Sequence, residues 1–452
     1  MAIPGYTKDE FGTKLATVVN AARPIRSIQH LKGREQQLQE IERALYAVGR
    51  HIFIFGDRGV GKSSLAATAA YQYQSVEAEP IFVSGSPDET FNSVIANIAV
   101  QALGRSKTEA RKSQESLSIE FRGLHWSTGQ EVSTVDLGAQ IKTVGDATEL
   151  LKQVAQKHSK KPTVVLDEFD TIPNPQERAK FAALLKQLGD QSIDLKFFVT
   201  GVGQSCQELL GAHLSAHRQL ATIELLRLGF EGRREIVQDA AEAFETEIDD
   251  DVNWRIALIS DGFPYYVHLL VEKMLWAAFD SPERNAKLGW DEFYAGLRVA
   301  VRETNAELRQ PYEKAVLLRA PEYEDIVWST ADGEDLFRSL PSMYSSYQKV
   351  IEDRVGRLAL DRQKYAGIVR KLKAPAFGSV LQSYGGRAGW YEYKEKMLRG
   401  YVRMQAEANG VQLTGERAIP RQMMHVGNTR TGSYGPNLPP GVNQNKRIRE
   451  DD

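Results

Sequence analysis

A nine-residue stretch, GDRGVGKSS at residues 56–64, constrains the fold of this chain more than any other feature. It has the spacing Gly-x-x-x-x-Gly-Lys-Ser of a phosphate-binding loop. The apolar run His51–Phe55 before it predicts a strand, and the alanine-rich run after it predicts a helix. The backbone N–H groups of such a loop and the amino end of such a helix attract anions. The stretch therefore predicts a strand–loop–helix unit that holds phosphate groups; the alternative is a glycine-rich turn with an incidental Lys-Ser pair.

The side chains of this loop suit a nucleoside triphosphate with its metal ion. Lys62 supplies a cation for the β- and γ-phosphates, and Ser63 supplies a hydroxyl ligand for Mg²⁺. ATP and Mg²⁺ are therefore the predicted cofactors. The other predicted nucleotide contacts in the loop are Gly56, Asp57, Arg58, Gly59, Val60, Gly61 and Ser64.

The segment TVVLDEFD at residues 163–170 predicts the second half of an ATPase site. Asp167 falls at the carboxyl end of a strand, where open α/β sheets bind ligands, and is predicted to hold Mg²⁺. Glu168 follows it, in position to polarise the attacking water, and Asp170 is a candidate for orienting the loop. Thr200 ends the next strand, beside the expected position of the γ-phosphate. It is either a sensor of that phosphate or a structural threonine. The alternative for the whole segment is an acidic turn after a buried strand.

Apolar runs alternate with helical patterns up to about residue 228, which predicts an α/β fold with a parallel sheet. A further strand pattern, PIFVS at residues 80–84, lies between the P-loop and Asp167. We therefore expect a P-loop NTPase with a five-stranded parallel sheet of the additional-strand type, followed by a helical lid. Residues 104–145 read as an inserted hairpin or surface excursion.

Charge is distributed unevenly along the chain, although its formal net charge is only −2. Residues 341–420 hold 14 Lys/Arg and 7 Asp/Glu, whereas the rest of the chain is acidic on balance. A basic region of this kind suits nucleic acid or an acidic partner protein, or it is a solvated face. The single Cys206, the absence of a long apolar run and an amino terminus without signal-peptide features predict a cytoplasmic location and no membrane contact.

Taken together, the motifs LKGREQQLQEIERAL, GDRGVGKSSL, VVLDEFD and FFVTG resemble the AAA+ ATPases, in the branch of origin-recognition initiators and STAND-type switch ATPases. The resemblance spans residues 31–271. It implies that Gly33, Arg34 and Glu35 lie near the adenine, that Arg218 is an arginine finger and that Pro264 belongs to a lid motif. It also implies a homo-oligomer with active sites between subunits. No sensor-2 arginine can be assigned, and a plain surface arginine is the alternative for Arg218.

The basic region looks like a winged helix, similar to the C-terminal domain of initiator AAA+ proteins. It would bind duplex DNA through the following side chains: Lys364, Arg370, Lys371, Lys373, Tyr384 and Arg387. The alternative is a protein-docking module of a STAND-like signalling ATPase, for example in anti-phage defence, acting on an effector protein. Both hypotheses describe an ATP-hydrolysing molecular switch. A third hypothesis is a DNA-binding regulator in which ATP is purely structural. Such a regulator would have no need of Glu168 as a positioned base.

The predicted domain organisation follows from these patterns. It comprises an N-terminal arm (1–30), an α/β nucleotide-binding domain (31–228), a helical lid (229–304), a linker (305–342), a winged-helix-like basic domain (343–414) and a tail expected to be disordered (415–452).

Overall fold

The computed structural model describes residue 3 and residues 5–21, 23–104, 118–121, 124–127, 134–203, 206–207, 216–281 and 287–413. The strands in this part of the chain are β1 (His51–Phe55), β2 (Ile81–Ser84), β3 (Ser118–Phe121), β4 (Leu124–Ser127), β5 (Thr163–Asp167), β6 (Lys196–Gly201), β7 (Leu220–Glu224), β8 (Glu247–Ile248), β9 (Lys287–Leu288), β10 (Phe337–Ser339), β11 (Leu381–Ser383) and β12 (Trp390–Tyr393).

The α-helices of the described residues are α1 (Lys8–Val18), α2 (Glu35–Leu45), α3 (Lys62–Tyr73), α4 (Phe91–Gly104), α5 (Thr134–Gln140), α6 (Val144–His158), α7 (Pro175–Asp190), α8 (Ala216–Gln219), α9 (Phe230–Ala243), α10 (Asp250–Ile259), α11 (Pro264–Asp280), α12 (Trp290–Glu303), α13 (Ala306–Val316), α14 (Glu322–Ala331), α15 (Leu340–Glu352), α16 (Arg362–Lys371) and α17 (Lys396–Ala408). Short 3₁₀ turns lie at Ile28–His30, Phe169–Thr171 and Pro375–Phe377.

Five parallel strands form the central sheet, in the order β2-β5-β6-β1-β7. The predicted α/β fold with a five-stranded parallel sheet is confirmed. The strand that separates β1 from β5 in space is β6, whereas β2, which lies between them in the sequence, is at the edge of the sheet. Because the strands are parallel, their carboxyl ends meet at one edge, where the loops after β1, β5 and β6 come together.

Helix α3, which starts from the P-loop, packs closely against the middle of the sheet. Its inner face consists of small and apolar side chains that are buried, among them Leu65, Ala66 and Ala70. Small side chains allow the helix to approach the strands closely, and parallel strands covered on both faces are correspondingly apolar. This packing fixes the amino end of α3 at the carboxyl edge of β1.

The region predicted as a helical lid contains α9 to α12, and α1 of the N-terminal arm packs against it. The ring of Phe11 stacks on that of Phe279 with centroids 4.3 Å apart, and it lies 4.8 Å from the Trp276 ring. Phe11 is fully buried by these contacts. Aromatic burial of this kind holds the N-terminal helix on the lid.

The expectation of a linker at residues 305–342 is wrong, because this segment contains α13, α14 and β10. Pro311 lies inside α13, where it removes one backbone hydrogen bond, and it obscured the helical pattern. Burial outweighs that loss: Tyr312 and Trp328 are buried, and the Trp328 indole donates to the Tyr312 hydroxyl at 3.0 Å. The segment is therefore part of the folded C-terminal half.

The C-terminal half begins earlier than the predicted boundary at residue 343, which falls within α15. Its elements follow the order α14-β10-α15-α16-β11-β12, and its three strands form an antiparallel sheet in the order β10-β12-β11. The first strand of this sheet comes from the expected linker. Helix α17 then packs against α12, α13 and α14, so it joins this half to the lid.

Within the inserted segment 104–145, β3 and β4 pair antiparallel as a hairpin, and α5 follows at residues 134–140. The predicted disorder of the tail lies outside the described residues, which end at Leu413. Among the helices that are described, none combines the length and the apolar character needed to cross a membrane.

Candidate nucleotide-binding site

A cavity of about 990 Å³ lies at the carboxyl edge of the parallel sheet. Its floor is the P-loop and the amino end of α3, and one wall is the segment between α1 and α2. The lid helices α9 and α11 form another wall, and residues from α13 and from the start of α17 close the remaining side. Its position matches the ligand site expected for an open α/β sheet.

The P-loop needs its glycines for two different reasons. A Cβ atom at Gly56 would overlap the backbone carbonyl oxygen of Leu225, so only glycine fits beside that strand end. Gly61 has φ +98°, and a Cβ there would meet nothing nearer than the Pro264 ring at 3.9 Å. The loop is thus held tightly on its sheet side and is open above Gly61, which leaves room for a phosphate group.

Lys62 points back over the loop, where its ammonium group donates to the carbonyl oxygens of Gly56 (3.1 Å) and Asp57 (2.9 Å). Burial lowers the pKa of Lys62, while the carboxylates of Asp170 and Asp167 oppose this shift. The lysine therefore lies in an acidic cavity at the centre of the site, with carbonyl partners that a phosphate oxygen could replace.

Ser63, Asp167 and Thr200 meet, although they come from three different elements. The Ser63 hydroxyl donates to Asp167 Oδ1 at 2.9 Å, and the Thr200 hydroxyl donates to the same carboxylate oxygen. The backbone N–H of Glu168 donates to Thr200 Oγ1 at 3.1 Å. Thr200 thus connects the end of β6 to both acidic residues at the end of β5, Asp167 and Glu168, because the two strands are neighbours in the sheet.

Glu168 is exposed to the cavity and has φ +52°, a left-handed conformation that is unfavourable for glutamate. Burial and the neighbouring carboxylates of Asp167 and Asp170 raise the pKa of Glu168. A carboxylate with a raised pKa is a better base than an ordinary glutamate. The strained backbone directs this side chain into the cavity beside Lys62.

Of the three residues implied to lie near the adenine, Arg34 lines the cavity, whereas Gly33 and Glu35 are absent from its lining. The buried Arg34 guanidinium donates to the carbonyl oxygens of Val60 and Leu226, both at 2.9 Å. Burial lowers the pKa of Arg34 to about 10. Glu35 instead accepts a hydrogen bond from the Gly33 N–H at 3.1 Å, which closes the turn before α2. Arg34 therefore clamps the P-loop to the end of β7.

Several other predicted contacts serve the surroundings of the loop. The Ser64 hydroxyl accepts from the Ile25 N–H at 3.1 Å, and the Arg58 guanidinium pairs with Glu307 at 2.7 Å. Pro264 lies at the start of α11 and lines the cavity. No arginine of residues 229–281 or 287–304 lines this cavity.

The start of α17 lies directly on the P-loop, which the sequence did not predict. Lys396 pairs with the Asp57 carboxylate at 2.8 and 3.0 Å. A Cβ atom on Gly59 would overlap the Met397 side chain, so the two residues are in close contact. Partners 339 positions apart leave no local pattern in the sequence. The C-terminal half of the chain therefore contacts the phosphate-binding loop.

Arg218 lies at the opposite end of the sheet from this cavity. It is exposed in α8, immediately before β7, and Leu220 at the start of β7 pairs with His51 at the start of β1. Within one chain it cannot approach the P-loop, which follows the other end of β1.

The basic residues proposed for DNA contact are exposed in and around α16 and the turn between β11 and β12. Lys364 pairs with Asp361 at 3.6 Å, and Lys373 donates to the Ser383 hydroxyl at 2.8 Å. In the same turn the Tyr384 ring stacks on Phe337, with centroids 4.2 Å apart. Tyr384 is therefore packed against β10 rather than standing free.

The residues present fit a nucleoside triphosphate with Mg²⁺. The loop is open above Gly61, and a hydroxyl and a carboxylate lie 2.9 Å apart at Ser63 and Asp167. Oxygen donors of these types are the ligands that Mg²⁺ prefers.

The buried ring nitrogens of His268, on the lid side of the cavity, have no hydrogen-bond partner.

The strand order, the phosphate-binding loop and the acidic end of β5 define the class of this protein, which is a P-loop NTPase of the additional-strand type. Residues 30–199 match the family model of the AAA ATPase domain. This match confirms, for residues 30–199, the resemblance to AAA+ ATPases that the motifs indicated.

Comparison with solved structures extends the likeness of fold beyond this domain. The Walker-type ATPase PABY2304 of Pyrococcus abyssi has a TM-score of 0.50 and 14% identity, with 84% of this chain and 99% of that chain covered. The ORC2 protein of Aeropyrum pernix has a TM-score of 0.45 and 13% identity, with 87% and 98% covered. Cdc6p from Pyrobaculum aerophilum has a TM-score of 0.42 and 15% identity, also with 87% and 98% covered. No curated protein sequence gives a significant match.

Proposed function

We propose that this protein binds ATP with Mg²⁺ and hydrolyses it to ADP and phosphate. The observation that carries the proposal is the meeting of Lys62, Asp167 and Glu168 at one end of the cavity. Lys62 would release its loop carbonyls and bind the β- and γ-phosphates, while Ser63 and Asp167 would hold the metal ion. Mg²⁺, when bound, neutralises charge that develops on the phosphates during transfer.

Glu168 is the proposed base that orients the attacking water. Its side chain is exposed to the cavity, and its raised pKa favours accepting a proton. Thr200 would fix the direction of this side chain, because its hydroxyl accepts the Glu168 N–H and donates to Asp167. Thr200 therefore is a positioning residue that links the base to the metal ligand.

Two substitutions separate binding from hydrolysis. Lys62→Ala should abolish ATP binding in equilibrium dialysis, because the loop loses its cation. Glu168→Gln should keep ATP affinity within about twofold yet lower turnover by roughly 100-fold, the range expected for loss of a general base. Lys160→Ala, an exposed lysine of the same domain, is the matched control and should change neither. Equal turnover of wild type and Glu168→Gln would refute the role of Glu168.

The contact of α17 with the P-loop supports a molecular switch. Lys396 binds Asp57, and Met397 lies against Gly59, so the position of the loop and that of the C-terminal half are linked. A phosphate group that displaced this contact would change how the C-terminal half is held. The ATP state would then govern what the C-terminal half can bind.

Duplex DNA is the proposed ligand of the C-terminal half. The order helix–strand–helix–helix–strand–strand, with the first strand beside the last, is that of a winged helix, which supports the predicted module. Exposed Arg370, Lys371 and Lys373 lie in and just after its third helix, α16. If about four to six phosphates are contacted, the log–log slope of affinity against salt should be roughly −4 to −5.

The test uses the full-length chain and fluorescence anisotropy with duplex DNA of random sequence. Glu substitutions at Lys371 and Lys373 should weaken binding about tenfold at low salt and reduce the salt slope. Equivalent Glu substitutions at Lys152 and Lys160, on the α/β domain, change the net charge equally and should have little effect. If both double variants weaken binding alike, or the wild type ignores DNA, the DNA proposal fails.

A protein partner is the second candidate ligand, as in a STAND-like signalling ATPase. The direct contact between α17 and the P-loop favours this candidate, because a nucleotide that displaced the contact would release the C-terminal half without any nucleic acid. ATPase rates measured with and without duplex DNA separate the two candidates. A rate that DNA leaves unchanged favours the protein partner.

A further inference from the structure

Arg58 is a charged side chain of the P-loop to which the proposed reaction assigns no step. It is the third residue of the loop, and it lines the cavity together with Lys62 and Glu168. Its side chain is 61% exposed, and its guanidinium donates a hydrogen bond to Glu307 Oε2 at 2.7 Å. Glu307 lies in α13. This arginine thus belongs to the nucleotide cavity, whereas its ion-pair partner belongs to the C-terminal half.

The charges around Arg58 show that it lies on the side of the cavity that holds the proposed base. Its hydrogen bond with Glu307 raises the pKa of Arg58, burial opposes this shift, and the carboxylates of Glu395 and Glu168 add to it. Burial raises the pKa of Glu168, and the positive charges of Arg58 and Lys62 oppose that shift. Arg58 and Glu168 therefore act on each other across the part of the cavity where the γ-phosphate is expected.

The ion pair that holds Arg58 is weak enough to be exchanged. The side chains of Arg58 and Glu307 are 61% and 63% exposed, so water screens their attraction. A pair of this kind changes an equilibrium constant by about fivefold at most. A guanidinium binds phosphate oxygens through charge-assisted hydrogen bonds in a matching fork geometry, and such bonds are stronger. A γ-phosphate in the cavity should therefore take Arg58 from Glu307.

Consecutive residues of the P-loop contact the C-terminal half, and the contact of Arg58 is the easiest of them to break. The side chains of the neighbouring Asp57–Lys396 pair are only 38% and 32% exposed. Gly59, on the other side, is in close contact with the start of α17. An exposed side chain changes rotamer within nanoseconds, without movement of the backbone. Arg58 can therefore change partner while Asp57 and Gly59 keep theirs.

We propose that Arg58 leaves Glu307 and contacts the γ-phosphate of bound ATP. This inference rests on the proposed binding and hydrolysis of ATP, and it adds a residue of the same chain that distinguishes ATP from ADP. A guanidinium at this place neutralises charge that develops on the phosphoryl group during transfer. The exchange also frees Glu307, so α13 is held differently when ATP and when ADP is bound.

The test compares two nucleotides that differ in the γ-phosphate. Affinities of β,γ-imido-ATP, which resists hydrolysis, and of ADP, each with Mg²⁺, are measured by calorimetry on the full-length chain. Arg58→Ala should lower affinity for β,γ-imido-ATP about tenfold, because it removes a hydrogen bond to a charged group, and should leave affinity for ADP within about twofold. Glu307→Gln should raise affinity for β,γ-imido-ATP about two- to fivefold, because it removes the competing carboxylate.

Turnover of ATP gives a second measurement. Arg58→Ala should lower it at least tenfold, and Arg58→Lys should restore part of the loss, because lysine keeps the charge without the planar fork. Glu313→Gln is the matched control: Glu313 lies on the same helix and pairs with Arg309 at 3.1 Å. This control should change neither affinity nor turnover. Thermal unfolding without ligand should shift by no more than about 2 °C in any of these variants, because the pairs are exposed.

Opposite effects of the two substitutions distinguish this role from a structural ion pair, because a structural pair is broken alike from either side. Equal losses of affinity for β,γ-imido-ATP in Arg58→Ala and Glu307→Gln would overturn the role of Arg58 and leave the proposed ATPase standing. An Arg58→Ala variant that loses ADP and β,γ-imido-ATP affinity equally would also overturn it. Wild type that binds neither nucleotide would overturn the proposed function itself.

Discussion

Replacing Asp261 by asparagine should destabilise the junction between the lid and the C-terminal half. Asp261 is 2% exposed and lies between α10 and α11. Its carboxylate accepts from Arg227 at 2.7 Å and lies 3.3 Å from Arg403 and 3.7 Å from Arg399. No other carboxylate lies within 4.0 Å of these three guanidinium groups in the described part of the chain.

The expected loss in the free energy of unfolding is about 3–5 kcal/mol, the cost of breaking a buried ion pair by removing one partner. Arg399 and Arg403 are 1% and 5% exposed, so water cannot replace the lost charge. Burial already lowers the pKa of Arg399 to about 10, which shows how unfavourable its charge is there. Asp261 has φ +54°, a conformation that asparagine tolerates, so the substitution removes charge without adding backbone strain.

Urea unfolding monitored by tryptophan fluorescence measures this effect, because Trp328 is fully buried in the C-terminal half. Asp249→Asn is the matched control: it removes a surface pair with Lys287 at 3.2 Å and keeps a residue that caps α10. The control should cost less than about 1 kcal/mol. A loss below about 1 kcal/mol for Asp261→Asn would show that the backbone carbonyls around the arginines suffice, and would refute the reasoning.

Three further outcomes follow from other contacts. Glu407→Gln should cost about 3–5 kcal/mol in the same urea assay, because it leaves the buried Arg255 guanidinium without its carboxylate; a loss near zero would contradict this. Gly56→Ala should lower ATP affinity at least tenfold in dialysis, because its Cβ overlaps the Leu225 carbonyl and must shift the P-loop, whereas unchanged affinity would show that the loop has room. If Arg218 acts on a neighbouring subunit, ATPase activity per subunit should rise with protein concentration. Arg218→Ala should then lower turnover with little change in ATP affinity. Turnover independent of protein concentration would favour a plain surface arginine.

The elements of the α/β domain are largely predictable from the sequence, because each depends on residues close together in the chain. The apolar runs at residues 51–55 and 80–84 and the one that begins at residue 163 became β1, β2 and β5 to within about one residue, and the P-loop stands between β1 and α3. The meeting of Ser63, Asp167 and Thr200 was also predictable, since parallel strands bring their carboxyl ends to one edge.

The order of the strands in the sheet differs from their order in the sequence. Along the chain β2 lies between β1 and β5, whereas in the sheet β6 lies between them and β2 is at the edge. The prediction of a linker at residues 305–342 was wrong for a related reason. Pro311 weakens the local helical pattern, whereas burial of Tyr312 and Trp328 stabilises the helices. In both cases packing between distant segments decided what local preference left open.

The sequence alone thus determined the motifs for phosphate binding, for the metal ligands and for the catalytic base, because each motif is a short pattern with fixed spacing. Only the tertiary structure placed Lys396 on Asp57, buried Asp261 among three arginines and left His268 unpaired in the cavity. Each of these depends on contacts across long stretches of chain, 339 residues in the case of Lys396 and Asp57. Such pairs carry no periodicity or spacing, because they form only when separately folded elements pack together.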